Sequence, residues 1–405
     1  MAGLTIAAAP TDRGPQPTSS PLPWSAVTRL TVTDFRCYGR AALTADHRPV
    51  VLTGPNGAGK TNLLEAVSFL APGRGLRRAA LRDVTRTDAA PPARWAVAAR
   101  IETPHGPVAI GTGLDADKIG TGAGRRVVRI DGTAAESQAD LGRHVGLVWL
   151  TPQMDRLFIE GTSGRRRFLD RLVYGFHPSH AATLNAYDQV MRERSRLLKE
   201  GRGDARWLTA LEDQMAGHAV AIAAARRDVV ARLQAAHETA PAGDQASAFP
   251  RADLALDGSV ERWLEEEPAL AVEERLRAGW SGSRRIDAIA GGAADGPHRT
   301  DLTVAYRAKG IPASSGSTGE QKALLIGLVL ANARLMAAER GAPPLLLLDE
   351  VAAHLDRDRR AALFEEILGL RAQAWMTGTD DALFEALGDR ARWFGVRDAE
   401  VMERL

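Results

Sequence analysis

The run Gly54-Pro55-Asn56-Gly57-Ala58-Gly59-Lys60-Thr61 is rich in glycine and ends in a lysine and a hydroxyl. Such a run bends backbone N–H groups inward around phosphate oxygens, and a following helix adds the positive end of its dipole. In that chemistry Lys60 reaches the β- and γ-phosphates and Thr61 offers its hydroxyl to Mg²⁺. The flanks agree. An apolar run, Val50 to Thr53, enters the loop, and Leu63, Leu64, Val67 and Leu70 share one face of the helix expected to leave it. Far along the chain, Leu345 to Leu348 precede Asp349-Glu350. That pattern reads as a buried parallel strand ending in carboxylates at the edge where open α/β sheets bind ligands. There Asp349 is expected to hold the Mg²⁺ shell and Glu350 to polarise an attacking water.

A third segment, Ser314 to Lys322, reads SSGSTGEQK and precedes a strongly apolar helix. Ser317 and Glu320 fit a capping box, while a glycine turn opening a helix also fits an anion site. Lys322 stands out because the chain has five lysines among 52 basic residues. Where arginine is the default, a lysine at a motif position points to a compact ammonium. Lys60 and Ser317 are 257 residues apart, against 32 from Ser317 to Asp349, so a separate unit is inserted in the first interval.

The elements that must position these residues follow from periodicity. Residues 1–26 hold five prolines and read as a disordered tail without the charged start and apolar stretch of a secretory signal. Strand-like pieces dominate 27–164, the first part of the head. Helical patterns dominate 165–282, the insertion; the longest is Asp204 to Thr239, with Trp207, Leu208, Leu211, Met215 and Ala219 at helical spacing. Over 283–405 the chain alternates a helix (Glu320 to Arg340), a strand (Leu345 to Leu348), a helix (Arg357 to Leu370) and a strand (Ala374 to Thr377). That alternation marks α/β packing on a parallel sheet.

Composition closes off other classes. The chain has 405 residues, 45% hydrophobic, with 52 basic against 50 acidic side chains, so any polyanion contact must come from local patches. Its one cysteine, Cys37, excludes an intrachain disulfide and a multi-cysteine metal site and fits a reducing, cytoplasmic setting. The longest apolar run, Ala323 to Ala333, falls short of the roughly 20 residues of a membrane span, so no membrane partner is expected.

Taken together, the motifs resemble the RecF family, bacterial recombination and gap-repair ATPases within the ABC-type heads that include SMC proteins. The matching stretches are LTVTDFRCYG (Leu30 to Gly39), Thr53 to Leu70, Gly73 to Arg78, LTPQMDRLFIEGTSGRRRFLD (Leu150 to Asp170), GPHRTDL (Gly296 to Leu302), Ser317 to Lys322 and LLLLDEVAAHLD (Leu345 to Asp356). The resemblance implies an α/β fold, an ABC-type P-loop ATPase head with an inserted helical lid domain. It implies ATP and Mg²⁺ as cofactors and a weak, DNA-stimulated ATPase that clamps DNA as an ATP-dependent homodimer. By position, Gln153 is implied to sense Mg²⁺ and the γ-phosphate. Ser317 and Gly319, with Lys322 beside them, are implied to meet the nucleotide of a second protomer, and Asp356 to lie at that interface. Thr379 falls where a switch residue belongs, although Thr377-Gly378-Thr379 contains no histidine, and Asp349-Glu350 stands where many members carry two aspartates. Implied partners are double-stranded and gapped DNA, RecR and RecO, and indirectly RecA and single-strand-binding protein, in recombinational and replication-gap repair. An SMC-like structural or nuclease-linked ATPase and a transport ATPase subunit are the alternatives; the 257-residue interval speaks against the second.

Four arginine groups could meet DNA phosphates: Arg74, Arg77 and Arg78; Arg125, Arg126 and Arg129; Arg165 to Arg167; and Arg192, Arg194 and Arg196. Each also fits solvated or ion-paired arginine, and the resemblance singles out the first. His298 fits a structural hydrogen bond as well as a catalytic group.

Overall fold

The computed structural model describes residues 24–90, 93–115, 125–201, 204–239, 248–353 and 355–404. The tail expected over 1–26 lies outside the described residues up to position 23, and Ala26 already opens the first strand.

The chain starts with β1 (Ala26–Phe35) and β2 (Tyr38–Thr44), then β3 (Val50–Thr53), which runs into α1 (Lys60–Ser68). Next come β4 (Ala96–Thr103), β5 (Gly106–Asp115), β6 (Arg125–Ile130), β7 (Thr133–Ala134), α2 (Leu141–His144) and β8 (Leu147–Leu150). The insertion holds α3 (Thr162–Tyr174), α4 (His180–Glu200), α5 (Ala205–Thr239), β9 (Ala252–Asp257), α6 (Ser259–Glu266) and α7 (Ala269–Ala290). The head resumes with β10 (Asp301–Tyr306), β11 (Ile311–Pro312), α8 (Thr318–Arg340), β12 (Leu345–Leu348), α9 (Arg357–Leu370), β13 (Ala374–Gly378), β14 (Arg392–Arg397) and β15 (Glu400–Arg404).

The central sheet has the order β15-β14-β3-β13-β12-β8, parallel from β14 to β8 with β15 antiparallel at the edge. The inner strands β3, β12 and β13 are buried on both faces, which explains their apolar runs. Leu345 and Leu347 pack with Val50, Leu52 and Trp375 toward α1 and the antiparallel sheet β2-β1-β4-β5-β6-β7. Leu346 and Leu348 pack with Val51 and Met376 toward α8 and α9. Burying each such leucine contributes roughly 1.5–3 kcal/mol. Helix α8 is long and apolar enough to cross a membrane by composition, yet 72% of its apolar window is buried in this core.

The insertion has its own core, with Tyr187, Met215, Ile222, Val272 and Trp280 among its members. It departs from the sequence reading in three ways. The expected limits at 164/165 and 282/283 fall inside α3 and α7, which continue through them. The unit is not all helical: β9 pairs antiparallel with β10 from the head side. Trp207, expected on the apolar face of α5, is 59% exposed, because that face begins one residue later at Leu208.

The two most distinctive motifs lock insertion and head together. The Arg165 fork grips both oxygens of Asp301 at 2.8 Å, and Arg166 donates to the Thr300 carbonyl at 2.9 Å. Asp170 accepts from Arg226 at 2.8 and 3.0 Å and shares a 2.9 Å hydrogen bond with buried His180; Arg226 also reaches the Pro297 carbonyl. Burial alone would raise the Asp170 pKa, but bonding to His180 and Arg226 holds it below the ordinary carboxylate value. His298 is a structural bonder: Nδ1 meets the Tyr187 hydroxyl at 2.8 Å and Nε2 the Ala293 carbonyl at 3.0 Å. RRRFLD and GPHRTDL are thus two halves of one joint.

Candidate nucleotide site and basic cleft

Three parallel strands deliver the nucleotide residues. β3 ends in Thr53 and releases the loop Gly54–Gly59, whose turns need positive φ at Gly54, Gly57 and Gly59. At Gly54 a Cβ would lie 2.0 Å from the Val396 carbonyl oxygen, so only glycine lets the loop leave the sheet beside β14. Lys60 is 5% exposed and donates to the Gly54 and Pro55 carbonyls at 2.6 and 2.8 Å. Burial lowers its pKa, while the carboxylates of Glu350 and Asp349 oppose that shift. All three charges therefore face one space.

Thr61 donates its hydroxyl to Asp349 Oδ1 at 2.9 Å, across 288 residues of chain. Asp349 and Glu350 follow β12, as expected. Glu350 adopts φ +50°, a strained backbone for a residue with a side chain. Its conformation is pinned by Thr377, whose hydroxyl accepts from the Glu350 N–H at 2.8 Å and donates to Asp349 Oδ1 at 2.7 Å. The sequence reading missed Thr377 and named Thr379 instead. Thr379 is exposed just beyond β13, whereas Thr377 is fully buried within it. The reason is strand order: β13 lies between β3 and β12, so its last inward hydroxyl faces both loops. Gln153 sits exposed in the turn after β8, the strand beside β12.

The second expected group lies apart. Among the described residues, no hydrogen bond or ion pair joins Ser317, Gly319 or Asp356 to the loop Gly54–Thr61. Ser317 caps α8 in a full capping box with Glu320: the Ser317 N–H donates to Glu320 Oε2 at 2.8 Å and the Glu320 N–H to Ser317 Oγ at 3.4 Å. Bonds from Lys309 and Ser317 bring the Glu320 pKa down to about 2. Ser317 and Gly319 are exposed at this helix start, and Asp356 caps α9 by accepting from the Arg359 N–H at 2.8 Å. Lys322 differs from its expected place on the anion-facing surface. It is 5% exposed and donates inward to the Ala353 carbonyl at 2.9 Å and Asp155 at 3.5 Å. It ties the α8 start to the segment after β12 and to the Gln153 turn.

The arginine groups also separate. Arg77 pairs with Glu65, whose side chain is fully buried and also gripped by Arg36, so Arg77 belongs to a structural pair. Arg126 is 4% exposed and donates to the Phe69, Ala71 and Gly73 carbonyls at the end of α1. Burial brings its pKa down to about 9, and the carbonyl dipoles of the helix end balance its charge. Arg194 is buried against Glu212 and Asp287. Arg74 and Arg78 remain exposed on the loop that Arg126 anchors. That loop lines a cleft of about 1340 Å³ together with Arg167, Arg171 and Gln153. Arg171 stacks on Trp149 at 4.7 Å. Burial, with smaller contributions from Arg78 and Arg167 opposed by Tyr174, lowers its pKa to about 10.

Residues 26–400 match the family model described as RecF/RecN/SMC N terminal domain. The chain is 49% identical over 381 residues to the DNA replication and repair protein RecF of Rhizobium leguminosarum bv. trifolii, covering 93% of this chain and 98% of that one. It is 49% identical over 375 residues to the protein of that name from Rhizobium meliloti, with the same coverage. Among solved structures, the recombination mediator protein RecF-ATPrS in the RecFOR pathway matches with TM-score 0.79 at 21% identity, covering 94% of this chain and 98% of that one. The RecF-ATP structure matches with TM-score 0.78. At that identity the likeness shows the fold.

Proposed function

The chain belongs to the RecF family of DNA replication and repair proteins, and from that premise we propose that it is an ATP-driven dimeric clamp on duplex and gapped DNA. The observation that carries this reading is the split between two half-sites. Lys60, Thr61, Asp349 and Glu350 converge in one place, while Ser317 and Gly319 stand exposed on a different helix. At the N-terminus of α8 the capping box uses the Ser317 and Glu320 N–H groups, and the exposed positive end of the helix dipole still favours an anion docking from outside. A second protomer's γ-phosphate fits, and a two-fold pairing would use both half-sites twice.

In this reading Lys60 exchanges its two carbonyl acceptors for phosphate oxygens. The Thr61 hydroxyl and Asp349 carboxylate, already in contact, form a hard-oxygen pair that suits Mg²⁺. Mg²⁺ would supply charge neutralisation between the phosphates. Glu350 takes the proton of the attacking water, and Thr377 fixes where that carboxylate begins. Slow, DNA-stimulated hydrolysis would then time release of the clamp. By family membership the partners are RecR and RecO, and the outcome is RecA loading on strands coated by single-strand-binding protein in the cytoplasm.

Sedimentation velocity tests the clamp. With Mg-ATP and a gapped duplex the protein should run as a DNA-bound dimer; a monomer under every condition would refute it. The DNA surface is tested separately. Arg74→Ala with Arg78→Ala should weaken duplex binding without sequence preference, and the slope of log K against log salt should shrink by up to about 0.9 per lost phosphate contact. An unchanged slope moves the DNA elsewhere.

Thr377→Val should cost Asp349 one of its two hydroxyl donors and leave the Glu350 N–H without an acceptor, a loss of about 1–3 kcal/mol. We expect turnover to fall about tenfold or more at unchanged fold, with more Mg²⁺ needed for half-maximal rate. Identical rate and Mg²⁺ titration would remove Thr377 from the site.

A further inference from the structure

Lys322 lies on the first turns of α8, just past Gly319, and its ammonium turns inward. It donates to the Ala353 carbonyl at 2.9 Å and meets Asp155 at 3.5 Å. Each contact leads to a different part of the nucleotide machinery. The Ala353 N–H donates to the Glu350 carbonyl at 3.2 Å, so Ala353 closes the turn that Glu350 begins, and the chain then runs on to Asp356. Asp155 shares one short turn with Gln153. The starts of α8 and α9 also adjoin: a Cβ built on Gly319 would lie 3.9 Å from Arg359 Nη1. The neighbouring Gln321 holds the loop before α8, donating to the Gly316 carbonyl at 2.8 Å.

Packing does not require a charge here. The residues that follow, Ala323 to Ile326, are buried and apolar, and a methionine of similar length would suit them. A buried ammonium gives up water, and one carboxylate at 3.5 Å offsets little of that loss. What the ammonium adds is direction, because Nζ reaches the Ala353 carbonyl in one placement of α8 against the segment after Glu350. We propose that Lys322 is a positioning residue that sets the partner-facing edge formed by Ser317, Gly319 and Asp356, and so governs hydrolysis of the nucleotide held by the second protomer. The proposal rests on the reading of two half-sites given above. Glu350 has its own anchor in Thr377, so the element that Lys322 decides is the helix. A misplacement of about 1 Å can cost about 100-fold in rate. Binding of ATP at Lys60 does not pass through α8.

The test uses the full chain with Mg-ATP. Lys322→Met should keep a parent-like melting temperature, because the Asp155 side chain is partly exposed and keeps its water. Its monomer should bind ATP with a Kd within about twofold of the parent value, while hydrolysis at saturating ATP falls about tenfold or more. The decisive measurement mixes it with Lys60→Ala chains. In a mixed dimer the intact phosphate loop of one variant faces the intact α8 of the other, so activity should rise toward about a quarter of the parent rate, the share of whole sites in an equal mixture. A folding defect, or a role in the chain's own site, gives no such recovery. The mixture of Ser317→Arg with Lys60→Ala is the control. Recovery in the control but not with Lys322→Met overturns the proposal, as does a parent-like rate for Lys322→Met or loss of ATP binding by its monomer. No recovery in either mixture overturns the reading of two half-sites and the proposal with it. If Lys322→Met does not fold, Asp155→Asn removes the ion pair and keeps the Ala353 bond. It should show the same pattern with a smaller loss, about threefold or more, and a parent-like rate there overturns the proposal.

Discussion

Glu350→Gln binds ATP about as well as the parent chain and turns it over at least about 100-fold more slowly, so that dimers on DNA persist instead of cycling. The size follows from removing a positioned general base, typically 10²–10⁴-fold. The glutamine keeps the shape and leaves the Thr377 bond to the backbone N–H in place, because that bond does not use the side chain. Lys60, Thr61 and Asp349 keep their own contacts, so phosphate and Mg²⁺ binding survive. The left-handed φ of Glu350 gives no added cost to the substitution, since glutamine has the same Cβ and Cγ as glutamate. Single-turnover hydrolysis with a parallel binding titration reads both quantities. A parent-like hydrolysis rate would take the water-activating role away from Glu350.

Ser317→Arg blocks dimer formation while ATP still binds the monomer. Ser317 is exposed at the start of α8, and an arginine there projects a long cation into whatever docks on that helix end. Losing the serine cap costs about 1 kcal/mol of local stability, too little to unfold a helix whose middle is buried from Gln321 to Met336. The expected loss of hydrolysis is about 100-fold or more, the usual size when a donor that meets transition-state charge is removed. Mixing Ser317→Arg with Lys60→Ala protomers should restore part of the activity. Each variant spoils a different half-site, so a mixed dimer retains one whole site. Sedimentation with ATP decides: a Ser317→Arg chain that dimerises like the parent means that α8 does not meet nucleotide across an interface.

What was legible in the sequence was local. The loop from Gly54 to Thr61, the carboxylates after Leu345 to Leu348 and the Ser317–Glu320 cap are each written in fewer than about ten neighbouring residues, and short-range backbone geometry is enough to define them. The structure keeps all three where the pattern put them. The inserted unit was legible too, from the interval between Lys60 and Ser317, but its edges were not. α3 and α7 run through the expected limits because a helix obeys its own hydrogen bonds and not the boundary between two cores.

The arginines show why pairing needs the tertiary structure. Arg74, Arg77 and Arg78 look alike in the chain, yet Glu65 claims Arg77 from 12 positions away. Arg126 reads like its neighbour Arg125, yet its guanidinium closes the end of α1 from 53 to 57 positions away. Thr377 is the sharpest case. The expected strand ends at Thr377 and leaves Thr379 beyond it, but only the placement of β13 between β3 and β12 points the Thr377 hydroxyl at Asp349 and Glu350. The sequence by itself determined which groups carry charge, hydroxyl or flexibility at each loop, because those are properties of residues and their immediate neighbours. The tertiary structure decided which of them face one another, because strand order and long-range ion pairs depend on contacts between segments up to hundreds of residues apart.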